Sequence, residues 1–201
     1  MIPRDYISEW REHAPWIGKT VDAIRTVLDT WLGSPNHERK ENSFKLMYRF
    51  QSEEQPPKGM RLKIEINSRE HFTEHGHVEH YFKVSSRWWS GEANITTFSL
   101  EELLGTKLRA LFQRRKGRDL FDLWYALEKG SANPEKILLC FHRYMRESGN
   151  KIARGDFERN LAAKLQDELF QADITPLLRG GLDWRVEEAA RVVSERLLAG
   201  L

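Results

Sequence analysis

SLEELLGTKLRALFQRRKGRDLFDLW, Ser99 to Trp124, is the stretch whose reading decides the fold. Ser99 with Glu102 three residues later is a capping-box signature, and Leu103, Leu104, Leu108 and Leu111 then recur at helical spacing. Gly117 separates this helix from a second, RDLFDLWYALEKG, which ends at Gly130 and carries Leu120, Leu123, Trp124 and Leu127 as its apolar stripe. Lys107, Arg114, Arg115, Lys116 and Arg118 gather around the break, followed by Asp119 and Asp122. The two aspartates are three apart, so they share a helix face at the border of the stripe. A partly buried carboxylate needs a cation, and Lys107 or Arg115 on the preceding helix is close enough in sequence to supply one. Two readings stand side by side. One is an interhelical ion pair that locks a helix hairpin; the other is a cationic cluster, oriented by Asp119, that binds phosphate.

Outward from this stretch the chain divides by periodicity. Towards the C-terminus the spacing predicts helices over 133–147, 156–171 and 184–198. Towards the N-terminus, residues 4–14 read as a short helix before Pro15. A longer helix follows over 19–32, with Val21, Ile24, Val27, Leu28 and Trp31 at helical spacing and a stop at Gly33. SPNHERKENS reads as a polar connection. FKLMYRFQ (44–51) and MRLKIEIN (60–67) alternate apolar and polar residues about the turn EEQPPKG, which predicts a hairpin. EHYFKVSSRWW and ANITTF supply one or two further strands. The fold class is therefore α+β, with a strand-bearing part over 1–98 and a helical part over 99–201.

Composition narrows the function classes. The 32 basic and 30 acidic residues leave a net charge of +2, so only local clustering could mark a nucleic-acid surface. Cys140 is the only cysteine, which excludes an internal disulfide and suits a reducing compartment; its setting, KILLCFHRYM, reads as an apolar packing face. No apolar run approaches the length of a membrane span, and MIPRDYISEWREHAPW lacks an apolar signal core. The expectation is a cytoplasmic protein with no membrane association.

Further candidates carry a bland reading and a functional one. Glu65 shares the polar phase of its strand with Lys63 and Asn67, as a solvated charge or as a rigidly held metal ligand or base. REHFTEHGHVEH holds His71, His75, His77 and His80, but it is not HExxH and a strand-and-turn setting splays such side chains; a solvated hairpin is favoured. Gly180-Gly181 reads as a turn, with Asp183 capping the helix that follows. Trp88-Trp89 reads as an anchor for a strand end in the core, although such a pair could also stack bases.

Taken together, LKIEIN and TTFSLEELLGTKLRALFQRRKGRDLFDLW resemble the nucleotidyltransferase AbiEii/AbiGii toxin family, over most of the chain to about Met145. The resemblance implies a polymerase-beta-like nucleotidyltransferase fold with a helical C-terminal part. It also implies a place as the toxin half of a bacterial toxin–antitoxin or phage-defence pair. Lys107 matches the family's essential lysine, Asp119 its paired aspartate, Arg115 and Arg118 the intervening basic positions, and Glu65 the third carboxylate. The implied activity transfers a nucleotidyl group from an NTP, with Mg²⁺, to an acceptor such as RNA, tRNA included. In that scheme Glu65 contributes to metal binding or base chemistry, and Lys107, Arg115 and Arg118 contact the triphosphate. Asp119 orients the lysine with Asp122 in support, and a cognate antitoxin protein is the partner.

The chain departs from the family at one place. Family members carry a Gly-Gly or Gly-Ser turn and an Asp-x-Asp pair upstream of the helix at 19–32. That segment falls between Trp16 and Ile17, where this sequence runs directly from EHAPW to IGKTVDAI, and no Asp-x-Asp occurs anywhere in it. Nucleotidyl transfer uses divalent cations held by carboxylates, commonly in pairs, and Glu65 alone cannot hold such a pair. The alternative function is then an inactive family member, internally deleted, that retains antitoxin or RNA binding.

Overall fold

The computed structural model describes residues 15–40, 43–67, 70, 72–87, 89–178, 180 and 182–201. The chain folds as two compact units, Met1–His71 and Phe72–Leu201. The change from strand patterning to helical patterning, at 98/99, falls inside the second unit.

In the first unit, helix α1 (Pro15–Leu32) is followed by a three-stranded antiparallel sheet of β1 (Asn36–Lys40), β2 (Ser43–Gln51) and β3 (Gly59–Asn67). Among the described residues the helix begins at Pro15, ahead of the Lys19 that the periodicity predicts. Alternation along β2 buries Leu46 and Tyr48 against Ile17, Val21 and Leu32 of α1, with Phe44, Phe50, Ile64 and Ile66 packed at the margin. Tyr48 also donates its hydroxyl to Asp29 at 2.8 Å, and Arg25 donates to the same carboxylate at 2.8 Å. Burial and then the Asp29 contact push the Tyr48 hydroxyl up to about 12. The apolar stripe of α1 is narrower than its spacing suggests, since Val27 and Trp31 are exposed.

β1 corrects the sequence reading of a polar connection. NHERK pairs in register with β2, His37 opposite Leu46 and Arg39 opposite Phe44. An edge strand needs only backbone pairing, so polar side chains on both faces hide it from periodicity. The helix expected over 4–14 lies outside the described residues.

The second unit opens with a hairpin of β4 (His77–Ser85) and β5 (Ser90–Phe98), antiparallel throughout. Among the described residues, six α-helices follow: α2 (Leu100–Gln113), α3 (Gly117–Glu128), α4 (Pro134–Glu147), α5 (Arg154–Leu165), α6 (Glu168–Ala172) and α7 (Val186–Arg196). Their core is built on Leu108, Leu111, Leu120, Leu123, Ile137 and Val193, all without exposed surface. α2 packs closely on α4 because position 105 is glycine: a Cβ there would stand 2.6 Å from the Cβ of Cys140. Cys140 is buried, as its apolar setting predicts. Asn133 caps α4, accepting from the backbone of Glu135 and Lys136, with Pro134 in the first turn.

Three expectations are corrected here. The helix predicted over 156–171 is two, because Asp167 breaks it and caps α6 by accepting from the Leu169 N–H. Asp183 does not cap α7; Arg185 occupies that position, and Asp183 pairs with Arg185 at 3.6 Å. Trp89 is 64 % exposed rather than anchored in the core. Its indole lies over Gly91, where a Cβ would come within 2.3 Å of the ring. Among the described residues, no helix is long and apolar enough to cross a membrane. The architecture is α+β.

Candidate functional site

The site is assembled at the junction of α2 and α3. α2 ends at Gln113, Arg114 turns to extended backbone, and α3 starts at Gly117. A Cβ on Gly117 would stand 2.1 Å from the Phe170 carbonyl oxygen, so glycine is what lets the start of α3 seat against α6. Asp119 then falls in the first turn of α3, where the helix dipole favours a negative charge.

Asp119 has no exposed side-chain surface and is the hub of the cluster. Arg114 bridges it with both prongs of its guanidinium, Nε to Oδ2 at 2.7 Å and Nη2 to Oδ1 at 2.8 Å. Lys107 Nζ approaches Asp119 at 3.3 Å and Asp122 at 2.7 Å. The lysine is thus held between two carboxylates while 34 % of its side chain stays open to solvent. Arg114 is pushed above its usual range, first by its hydrogen bonds to Asp119. It remains charged at any accessible pH.

The remaining cations are held from α6 and its flanks. Lys116 reaches Asp173 at 3.3 Å, the Arg118 backbone N–H donates to the same carboxylate at 3.3 Å, and the Arg118 side chain stands at 3.9 Å. Arg115, 69 % exposed, pairs with Asp167 at 3.4 Å. Burial pushes the Asp173 carboxyl up, but the Arg118 N–H and Lys116 outweigh it and hold it below its usual range.

Of the two partners that spacing offered Asp119, Lys107 is confirmed and Arg115 is replaced by Arg114. The reason is chain direction: residue 114 still lies against the last turn of α2, whereas Arg115 has turned outward. Sequence reasoning also missed Lys164. It lies at helical spacing from the buried Phe157 and Leu161, a signal that position 164 faces inward. Its amine donates to the carbonyls of Leu111 and Phe112, closing the otherwise unpaired end of α2. Burial first, then the charge of Arg115, pull it down to about 8, with Asp119 opposing.

The spacing from Ser99 makes Glu102 half of a capping box. Ser99 does accept from the Glu102 N–H at 3.3 Å, but the Glu102 carboxylate is committed elsewhere. Fully buried, it accepts from Thr73 Oγ1 at 2.6 Å, the Glu74 N–H at 2.8 Å, the His75 N–H at 3.0 Å and the Tyr144 hydroxyl at 2.8 Å. The carboxylate therefore ties residues 73–75 to α2 and α4.

Glu65 lies in the first unit, on the polar face of β3. It pairs with Lys63 at 2.8 Å and with Lys45, its cross-strand neighbour, at 3.6 Å. The Lys63 hydrogen bond is the main cause holding its carboxyl below the usual range. His77 packs its ring on Phe98 at 5.1 Å, and the His75 backbone serves Glu102.

A family model described as nucleotidyl transferase AbiEii toxin, type IV TA system, matches residues 17–192. The chain belongs to this family. No curated protein and no solved structure matches it. The AbiEii match takes in both compact units and contains Glu65, Lys107, Arg115, Arg118, Asp119 and Asp122. It begins at Ile17 and ends at Val192.

An AbiEii transferase would be expected to use Mg²⁺, which takes oxygen ligands and needs carboxylates to offset its charge. Among the described residues, no group of three or more His, Cys, Asp or Glu side chains is placed to hold a metal ion. Glu65 is already neutralised by two lysines, and the chain has no Asp-x-Asp. These residues do not fit a two-metal centre.

Proposed function

We propose that this AbiEii chain is the toxin component of a toxin–antitoxin or phage-defence pair, and that it grips the phosphates of an NTP or of RNA, tRNA included, at the α2–α3 junction without transferring nucleotides at a full metal-dependent rate. The observation that carries this reading is Lys107. It is held by a buried aspartate yet keeps an open face, and Arg115, Lys116 and Arg118 follow on the segment that leads into α3, paired with Asp167 and Asp173. An incoming phosphate would take Lys107 from Asp122, which is partly exposed, while Arg114 keeps Asp119 in place. Lys107, Arg115 and Arg118 then contact phosphate, Asp119 orients the lysine, and Asp122 supports it. A cognate antitoxin protein is the partner, and the cytoplasm is the compartment.

RNA titrations at two salt concentrations test this. Binding should weaken steeply with salt, because each cation on a phosphate releases a counterion. Lys107→Ala should weaken binding and flatten the slope by roughly one unit of log K per log salt. Salt-insensitive binding, or binding that Lys107→Ala leaves intact, would overturn the reading.

A second reading, full nucleotidyl transfer from an NTP with Mg²⁺ to an RNA acceptor, is favoured by one observation. The family model, whose match spans Glu65, Lys107 and Asp119, is described as a nucleotidyl transferase. Incubation with labelled NTPs, Mg²⁺ and total RNA decides: robust incorporation that Glu65→Ala abolishes would replace the binding reading with this one.

A further inference from the structure

Among the described residues, β3 is the outer strand of the first unit's sheet. Its ladder with β2 runs without a bulge from Ser43 opposite Asn67 to Gln51 opposite Gly59. β3 contains no proline, and its only glycine is its first residue. Natural edge strands are shortened, bulged or broken by proline to prevent further pairing. This one is long and regular, and its apolar phase is incompletely covered: Met60 is 49 % and Leu62 37 % exposed.

The charges on β3 select a partner. An antiparallel neighbour that continues the sheet must keep apolar side chains on one face, which allows only alternate registers. A second copy of β3 centred on Lys63 would set Lys63 against the partner's Lys63, and centring on Glu65 would oppose two glutamates. Centring on Ile64 does neither. It places Lys63 opposite the partner's Glu65 and Glu65 opposite the partner's Lys63, with Leu62 against the partner's Ile66 and Ile64 against its own copy. Opposite charges and apolar pairs directly across a ladder are stabilising, and like charges are not. Both salt-bridging side chains are accessible for this, Lys63 at 51 % and Glu65 at 39 %.

We propose that β3 is a homodimerisation edge, pairing antiparallel with β3 of a second copy about a two-fold axis at Ile64 to give one continuous sheet. The interface is isologous, so each copy donates the same lysine and the same glutamate. This inference is independent of the phosphate site.

Charge exchange tests it. Sedimentation or light-scattering mass of the full chain should give a dimer. Lys63→Glu and Glu65→Lys should each weaken the dimer by about tenfold or more, since each turns both attractive pairs repulsive. The double variant restores opposite charges across the axis and should dimerise again, with circular dichroism confirming that all four chains are folded. A wild-type chain that stays monomeric overturns the proposal, including the case in which the edge accepts a strand from a different protein. So does a dimer unaffected by either single change, or a folded double variant that remains monomeric.

Discussion

Arg114 and Asp119 stand five residues apart across a helix break and meet in a two-point bridge, 2.7 and 2.8 Å, on a carboxylate with no exposed surface. This pair, rather than Lys107 with Asp119, is the structural lock of the helix hairpin. The choice between lock and ligand site therefore does not fall on one lysine, because the two tasks are divided between two cations.

The division makes a stability prediction. Arg114→Ala leaves a buried carboxylate with only Lys107 at 3.3 Å and should cost about 2–3 kcal/mol, below the range for a fully buried pair because Arg114 is half exposed. Lys107→Ala leaves the two-point bridge intact and should cost within about 1 kcal/mol. Denaturant midpoints with double-mutant cycles check both, and coupling to Asp119 should be strong for Arg114 and weak for Lys107. The reverse order would make Lys107 the scaffold.

Acid should release residues 73–75 through Glu102. Burial raises that carboxyl, but the donors from Thr73, Glu74, His75 and Tyr144 together hold it below the usual carboxylate range. Its contribution is therefore complete above the unfolded value and lost as pH falls through the lower folded value. Glu102→Gln should be less stable than the wild type at neutral pH, with the gap closing under acid. Thermal midpoints from about pH 3 to pH 7 measure this; a gap independent of pH would exclude the carboxylate as its source.

Lys164 acts in the same sense but in an alkaline window. Burial brings its amine down to about 8 from 10.5, so between those values the unfolded chain holds a proton that the folded chain has released. Stability attributable to Lys164 should rise with pH across that window and stay level below it. Subtracting the profile of Lys164→Met from that of the wild type isolates the effect. A difference that falls with pH above about 8 would contradict the assignment.

Gly105→Ala should destabilise the second unit by about 1–3 kcal/mol, because the new methyl meets the Cys140 Cβ and the Ile137 carbonyl. Cys140 itself, pushed up to about 12 by burial and then by Glu102, should resist thiol reagents until the chain unfolds. Faster labelling of Gly105→Ala than of wild type would report loosening of the α2–α4 contact.

Periodicity alone located α1, the β2–β3 hairpin, α2, α3, α4 and α7, because an apolar face is written every two or every three to four residues of one segment. It also put Asp119 and Asp122 on one helix face and offered Lys107 or Arg115 as the partner of Asp119, since two helices joined by a short link can fold back on each other. It missed β1, whose polar residues need only backbone pairing, and the break at Asp167, whose role as a cap shows only once α6 exists. Asp167 and Asp173, which hold Arg115, Lys116 and Arg118, lie more than fifty residues further along the chain. Lys164 at the end of α2, and Tyr144 on Glu102, are likewise brought in from distant helices. The sequence by itself determined which segments bury a face and which residue types collect at the break. Only the tertiary structure decided which charge meets which, because ion pairing depends on distances of a few ångströms between segments whose separation along the chain carries no such information.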